Sequence, residues 1–219
     1  MENCKYNDSN DLNNPNNLNN LNNLNNPNNL DYINSSRVIL KDTSNGLEFI
    51  KLKKNNYSTI FSICNNNILL PKIINFDIVD LIYKLNPDIY EFIKLNKIND
   101  NEAELIAVTK HFFKDLGLPQ RFAHLKIIKI IKDDSIEFQS TSIINDKKPP
   151  NVPENAQQLP IVLIKSVCNI INPHEISIIQ NIQLNDKSIP VPPYIEKMFG
   201  SIIKKIFTRV KQFIENITL

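Results

Sequence analysis

The stretch PYIEKMFGSIIKKIFTRVKQFIENIT, residues 193–218, decides the fold because it has the clearest helical period in the chain. Pro192 and Pro193 stand at its start, where a helix tolerates proline. A helix of about 25 residues spans roughly 37 Å, long enough to lie across a whole sheet. Phe199, Ile206 and Phe213 are the predicted core anchors. On a helical wheel the apolar residues fall within about 80° of one direction: Ile195, Phe199, Ile202, Ile203, Ile206, Val210, Phe213 and Ile217.

The same segment carries basic residues away from its apolar stripe. Only Glu196 and Glu215 offset them, so the segment carries a charge of about +3. Such a side is either a solvated helix face or a face that contacts phosphates or an anionic membrane surface. No aromatic row accompanies it, which argues against single-stranded nucleic acid. The residues of this predicted anionic-partner face are Lys197, Lys204, Lys205, Arg209 and Lys211.

Apolar runs before the helix predict two strand hairpins. HLKIIKIIKDDSIEFQSTSII, residues 124–144, turns at Asp133–Ser135, and IVLIKSVCNII with EISIIQNIQL, residues 161–184, turns around Asn172–His174. Between them lies NDKKPPNVPENAQQLP, residues 145–160, a polar and Pro-rich loop. A loop of that length in a compact domain is either functional or flexible.

The first half of the domain predicts three strands and then helices. RVIL, LEFIKL and STIFSI, within residues 37–63, are strand-like, and Ser44–Gly46 is typical of a tight turn. Pro71 makes ILLPKII an edge or a connection. Two short helices are predicted over 76–95, the second opened by Pro87, and a third over 101–117. Residues 34–219 are therefore expected to form one α+β domain, an antiparallel sheet covered by helices, with the long C-terminal helix across it.

Residues 11–30, DLNNPNNLNNLNNLNNPNNL, repeat with a period of three. A helix turns 100° per residue, so this period visits every face and forms no apolar stripe. A strand needs a period of two. Residues 1–33 are therefore predicted to be a disordered low-complexity tail. The alternative is a docking or assembly segment that orders on a partner.

Residue types that carry chemistry are scattered along the chain. The three glycines are isolated, which excludes phosphate-binding loops. His111, His124 and His174 have no partner at metal-ligand spacing. Cys168 lies in an apolar strand, and its predicted role is a buried structural cysteine rather than a nucleophile. No catalytic residue, cofactor or metal is predicted, and the protein is expected not to be an enzyme.

Composition indicates a soluble intracellular protein. The net charge is +2 and the pI is near 8.3, too balanced to indicate nucleic acid or membrane. No apolar run approaches 18 residues, and the polar start resembles no signal peptide. Lys, Asn and Ile are abundant, as in proteins of AT-rich genomes such as those of some protists and large DNA viruses. The expected location is the cytoplasm, or the virion if the gene is viral.

The hairpins, the Pro-rich turn and the long helix of residues 123–219 resemble helix-grip proteins of the START/Bet v1 type. That resemblance is one of layout, and it implies an apolar ligand held between a curved antiparallel sheet and the last helix. The helices predicted here follow the third strand, whereas that fold places them after the first.

Three functions are open at this stage. The favoured one is a non-catalytic interaction or structural protein, with a protein partner or self-assembly, and a particle component if the gene is viral. It is favoured because no catalytic pattern is present and because a low-complexity tail suits assembly. The alternatives are a helix-grip carrier of an apolar small molecule and an enzyme without a readable motif.

Overall fold

A computed structural model describes residues 36–112, 114–185 and 192–218. The helices are α1 (Leu70–Ile73), α2 (Phe76–Lys84) and α3 (Pro193–Glu215), with a 3-10 turn at Lys114–Leu116. The predicted tail, residues 1–33, lies outside the described residues, so its disorder stays a prediction. The strands are β1 (Arg37–Asp42), β2 (Leu47–Lys53), β3 (Asn56–Cys64), β4 (Tyr90–Asn99), β5 (Glu102–Thr109), β6 (Arg121–Ile131), β7 (Ser135–Ser142), β8 (Gln157–Gln158), β9 (Ile161–Asn172) and β10 (Glu175–Leu184).

The described strands form one ten-stranded sheet in the order β1-β2-β3-β10-β9-β7-β6-β5-β4. Every neighbouring pair along this path is antiparallel, and the short β8 pairs with β6 in parallel. The helices follow the third strand and the last helix packs across the sheet. The predicted α+β class with a long C-terminal helix is confirmed.

The predicted hairpins are confirmed. Polar side chains form hydrogen bonds within the turns where the chain reverses. Between β9 and β10 the Asn172 side chain accepts a hydrogen bond from the His174 backbone N–H at 2.9 Å. Between β1 and β2 the Asp42 carboxylate accepts from Ser44 at 2.6 Å and from Asn45 at 2.8 Å. Gly46 closes that turn with a φ of 59°, the left-handed conformation that favours glycine.

Two helix predictions are wrong. Residues 102–109 form β5 rather than a helix, and the second helix predicted after Pro87 is replaced by β4. Strand β5 is buried on both faces: Leu105 and Ala107 lie on one side, and Ile106 and Val108 on the other. A strand buried on both faces loses the alternation that identifies strands in sequence. The connection predicted at Pro71 contains the short helix α1.

Two helices lie on the same face of the sheet, which we call the inner face. Helix α3 lies over β1, β2 and β3, and α2 contacts β4 and α3. On this face Phe207 of α3 packs against Phe61 of β3, with ring centroids 4.8 Å apart. At the other side Phe76 of α2 meets Phe138 of β7 edge-on at 5.9 Å. The main hydrophobic core therefore lies between the inner face and the helices.

Helix α3 is turned about its axis relative to the predicted apolar stripe. The predicted anchor Ile206 is buried, but Phe213 is 44% exposed, so its prediction as a core anchor is wrong. Phe199 is half-buried. Phe207 and Ile214 occupy the core instead. This rotation of α3 accompanies close packing at Gly200, where an added Cβ would lie 3.1 Å from the Phe49 ring.

The Pro-rich loop 145–160 packs on the opposite, outer face of the sheet. Its Ala156 joins Val108 and Phe122 in a small second core. Backbone bonds from Gln157 to Gln120 and from Leu159 to Phe122 add the loop to the end of β6. These contacts hold the loop against the end of β6. The loop thereby covers the outer face of β5, which is why β5 is buried on both faces.

Candidate functional site

The middle of the inner face is a band of half-buried side chains on β9 and β10, between the strands under α3 and those under α2. On the flanking strands the inner side chains Thr59, Phe61, Phe138 and Ser140 are buried. The sheet thus has a partly exposed strip between two rows of buried side chains. We call this strip the furrow; its residues are Ile164, Ser166, Ile178, Gln180 and Ile182.

The furrow is apolar along most of its length and polar at one level. Paired positions across β3, β10 and β9 read Phe61, Ile178 and Cys168 at one level. One pair further along, Thr59, Gln180 and Ser166 stand in register, and Gln180 Nε2 donates to Ser166 Oγ at 3.1 Å. The surface therefore offers dispersion contacts to an apolar molecule and hydrogen bonds at one point.

Cys168 lies at the base of the furrow and is buried. Burial raises the pKa of its thiol to about 12, so the thiol stays protonated at neutral pH. His174 does not serve it as a base, because its Nδ1 lies 2.8 Å from the Ile68 carbonyl oxygen. The structural role predicted for Cys168 agrees with this environment.

A buried carboxylate fixes the start of α3 beside the furrow. Glu196 accepts hydrogen bonds from Lys51 at 2.6 Å and from the Tyr57 hydroxyl at 3.0 Å, and it also binds Arg37. Burial, and then the neighbouring Glu196, raises the pKa of Tyr57 above its usual range. In the sequence Glu196 stands out only as an acid beside the apolar stripe, so its role was not predicted.

The five cations of the predicted anionic-partner face are placed differently from one another. Lys204 binds the Asp42 carboxylate at 3.0 Å, and both Lys205 and Arg209 bind Asp88. Hydrogen bonds from Ser44 and Asn45, and the Lys204 ammonium, hold the pKa of Asp42 well below its usual range. Hydrogen bonds from Arg209 and Lys205 likewise lower that of Asp88.

The remaining two cations lie at the extremes of burial. Lys211 is buried, with its Nζ 2.5 Å from the Ser62 carbonyl oxygen and 2.8 Å from Glu215, so it does not lie on the outward side as predicted. Lys197 is exposed. A shallow hollow of about 320 Å³ lies against Lys204, Lys205 and Arg209 together with Ser201 and Thr208. Binding of an anionic partner at this face stays a prediction.

A second cavity, of about 320 Å³, lies on the outer face beneath the Pro-rich loop. Its wall includes the buried His124, whose Nε2 is 2.5 Å from Glu104 Oε1. Lys147 and Gln158 of the loop complete a polar lining. Among the residues that the structure describes, no group of three His, Cys, Asp or Glu side chains is arranged to hold a metal ion.

None of the helices in the described ranges combines the length and the apolar character needed to cross a membrane. The cytoplasmic or virion location expected from the sequence stays a prediction.

The fold is similar to that of START-type lipid-transfer domains. Human StAR-related lipid transfer protein 5 matches with a TM-score of 0.61 at 11% identity, covering 84% of this chain and 89% of that one. The human StarD13 lipid transfer and protein localization domain matches with a TM-score of 0.57 at 9% identity, covering 81% and 88%. A STAR-related lipid transfer protein from Xanthomonas axonopodis matches with a TM-score of 0.57 at 9% identity, covering 81% and 97%.

At these identities the similarity concerns the fold alone. The architecture is thus similar to that of START domains, with helices after the third strand. No family model matches the sequence, and no curated protein matches it.

Proposed function

We propose that this protein carries an apolar small molecule in the furrow, beneath and beside α3. The observation that carries the proposal is the partly open, mainly isoleucine-lined strip between buried inner-face side chains of β3 and β7. A ligand seated there removes apolar surface from water, at roughly 25 cal/mol per Å² buried. The architecture shared with lipid-transfer domains supports the same function.

The other two predicted functions have less support. A structural role, in a virus particle or elsewhere, rests only on the composition of the chain and on the tail. The tail lies outside the described residues. An enzyme needs a nucleophile or base directed at a bound substrate. Burial keeps the thiol of Cys168, at the base of the furrow, protonated at neutral pH, and His174 is engaged with the Ile68 carbonyl oxygen, which favours a carrier over a catalyst. A protein partner or self-assembly stays a prediction.

A binding experiment with two matched variants tests the proposal. Nile red, a neutral apolar dye, is titrated into the purified full chain and its fluorescence is followed. Ile164→Arg places a charge in the furrow, and Ile171→Arg places the same charge at an exposed position of the same strand. Far-ultraviolet circular dichroism confirms that both variants are folded.

The wild type and Ile171→Arg are expected to bind the dye alike. Ile164→Arg is expected to bind at least about tenfold more weakly, because an unpaired charge in an apolar site costs more than 1.4 kcal/mol. If folded Ile164→Arg binds the dye as the wild type does, or if the wild type binds none, the furrow is not a ligand site.

A further inference from the structure

The polar level of the furrow holds a hydroxyl group that lacks a partner. Thr59 is 0% exposed, and its Oγ1 has no hydrogen-bond partner among the described residues. It stands directly opposite Gln180. A buried hydroxyl that is left unsatisfied costs about 1–3 kcal/mol. Such a group in the wall of a proposed ligand site indicates where a polar atom of the ligand belongs.

The neighbours of Thr59 complete a small set of donors and acceptors. Gln180 Nε2 donates to Ser166 Oγ at 3.1 Å. This bond leaves the Gln180 amide oxygen as an acceptor and the Ser166 hydroxyl proton as a donor. The levels on either side are largely apolar, with Ile178 on one and Ile182 on the other. Hydrogen bonding by the ligand is therefore confined to one point of its length.

No formal charge stands at this level, since all three of its side chains are neutral. The charged side chains of the inner face are engaged elsewhere. A carboxylate or phosphate at the polar level would therefore be buried without a counter-ion, which is strongly unfavourable. The engaged pairs are Lys51 with Glu196, Lys204 with Asp42, Lys97 with Asp77, and Lys129 over the Phe76 ring.

We infer that the furrow selects an apolar molecule that bears one uncharged hydroxyl group. The ligand hydroxyl accepts a hydrogen bond from Thr59 Oγ1 and donates one to the Gln180 amide oxygen. A hydroxyl suits this position because it both donates and accepts. The inference rests on the proposed function and adds the class of ligand to it.

The test uses ligands that share one chain and differ at one end. Displacement of Nile red from the full-length protein is measured with 1-decanol, decyl methyl ether, decanoate and decyl phosphate. Decanol is expected to bind about fivefold more tightly than the ether, which can accept but not donate; one hydrogen bond contributes about 1 kcal/mol. Decanoate and decyl phosphate are expected to bind at least about tenfold more weakly than decanol.

Two variants connect this preference to the polar level. Thr59→Val is expected to weaken decanol and the ether alike, about fivefold, because both accept a hydrogen bond from Thr59 Oγ1, whereas Thr59→Ser keeps both affinities. Thr59→Val should fold, because the hydroxyl it removes makes no bond in the described structure. Gln180→Met is an independent second variant: it removes the acceptor that only the alcohol can use, so it should abolish the preference for decanol over the ether. Thr141→Val, at an exposed position of β7, is the matched control.

The possible outcomes separate this inference from the proposed function. If all four compounds displace the dye equally, or if the charged ones bind best, the hydroxyl preference is refuted while the furrow remains a ligand site. The same conclusion follows if Thr59→Val leaves decanol binding unchanged and Gln180→Met keeps the preference for decanol over the ether. If neither Nile red nor any of the compounds binds, the inference and the proposed function both fail.

Discussion

Glu196, in the first turn of α3, accepts a hydrogen bond from Lys51 of β2, with 2.6 Å between Oε1 and Nζ. The carboxylate is 1% exposed and also binds Arg37 of β1 and the Tyr57 hydroxyl of β3. One side chain therefore ties the start of the helix to three successive strands. A buried charge is stable in such a place only when it is paired and hydrogen-bonded.

Glu196→Leu is expected to destabilise the domain by about 2–4 kcal/mol, because it leaves two cations and a buried hydroxyl without their acceptor. Urea unfolding followed by circular dichroism gives the free-energy difference. Lys51→Met should cost less, since Lys51 is more exposed than Glu196. Glu154→Leu in the exposed loop is the control and should change stability by less than about 0.5 kcal/mol. Equal effects at positions 196 and 154 would contradict the tie between helix and strands.

Two phenylalanines six positions apart on α3 should differ sharply when truncated. Phe207 is 6% exposed and packs against the ring of Phe61, whereas Phe213 is 44% exposed. Phe207→Ala is expected to cost about 3–5 kcal/mol, and Phe213→Ala less than about 1 kcal/mol. Thermal and urea unfolding of the two variants check this. The reverse order would mean that the helix packs through the stripe predicted from the sequence.

Adding side-chain volume at Gly200 should separate α3 from the sheet. An added Cβ already lies 3.1 Å from the Phe49 ring and 3.5 Å from Leu40 Cβ, so a valine overlaps both strands. Gly200→Val is expected to cost about 1–3 kcal/mol through overpacking, although valine is the better helix former. Ser201→Val, at the exposed neighbouring position, should not destabilise. A Gly200→Val variant as stable as the wild type would argue against close packing here.

The Asp42 cluster predicts a specific loss of stability in acid. The pKa of the Asp42 carboxyl group is lower in the folded protein than the value of about 4 for an unfolded aspartate. Its contribution is therefore fully present above about pH 4 and is lost as the pH falls from there toward the folded-state pKa. Asp42→Asn should be less stable than the wild type at pH 7, and the difference should shrink below pH 4.

Unfolding in urea at a series of pH values measures that difference. Asp133→Asn, in the exposed turn between β6 and β7, is the control. A difference between Asp42→Asn and the wild type that stays constant down to about pH 2 would show that the carboxylate is not stabilised by its neighbours.

The basic side of α3 is expected to bind anionic surfaces only weakly. Asp42 and Asp88 lie against three of its cations, and exposed charges are screened within about 8 Å at physiological salt. Co-sedimentation with phosphatidylserine vesicles, at low salt and at about 0.15 M salt, measures this binding. The variant Lys197→Gln/Lys205→Gln should bind still less than the wild type at low salt. Strong binding at physiological salt that the double variant loses would make the anionic partner a primary function.

The hairpin of β4 and β5 illustrates a limit of sequence reading. Asn99 precedes the helix predicted over 101–117, and its side chain does accept a hydrogen bond from the backbone of Asn101, at 2.8 Å, but in a strand turn. The same local chemistry starts helices and closes turns. Gly117, the last residue of that predicted helix, adopts a φ of 68°, typical of a helix end, but after a 3-10 turn. Local signals were therefore correct, and burial of β5 on both faces decided the element.

The same distinction applies to the site. The apolar period predicted a helix over residues 193–218, and the observed helix covers Pro193–Glu215, because that signal is local. Its rotation was not predictable, because it depends on the ring of Phe49 and on the cations that meet Glu196. Ser166 and Gln180 share the predicted β9–β10 hairpin, but Thr59 lies far away in sequence on β3, and only the pairing of β3 with β10 brings it to them.

The tie between α3 and the first strands joins distant parts of the chain, since Arg37 and Glu196 are 159 positions apart. Contacts of such separation form late, whereas hairpins such as β9–β10 form early. During synthesis, at about 5–20 residues per second, the inner face of the sheet is built before α3 has been made. For those seconds its isoleucines and phenylalanines are open to chaperones and to other nascent chains. Completion of the last helix thus covers the inner face, and under the proposed carrier function it is also the first moment at which a ligand can be enclosed.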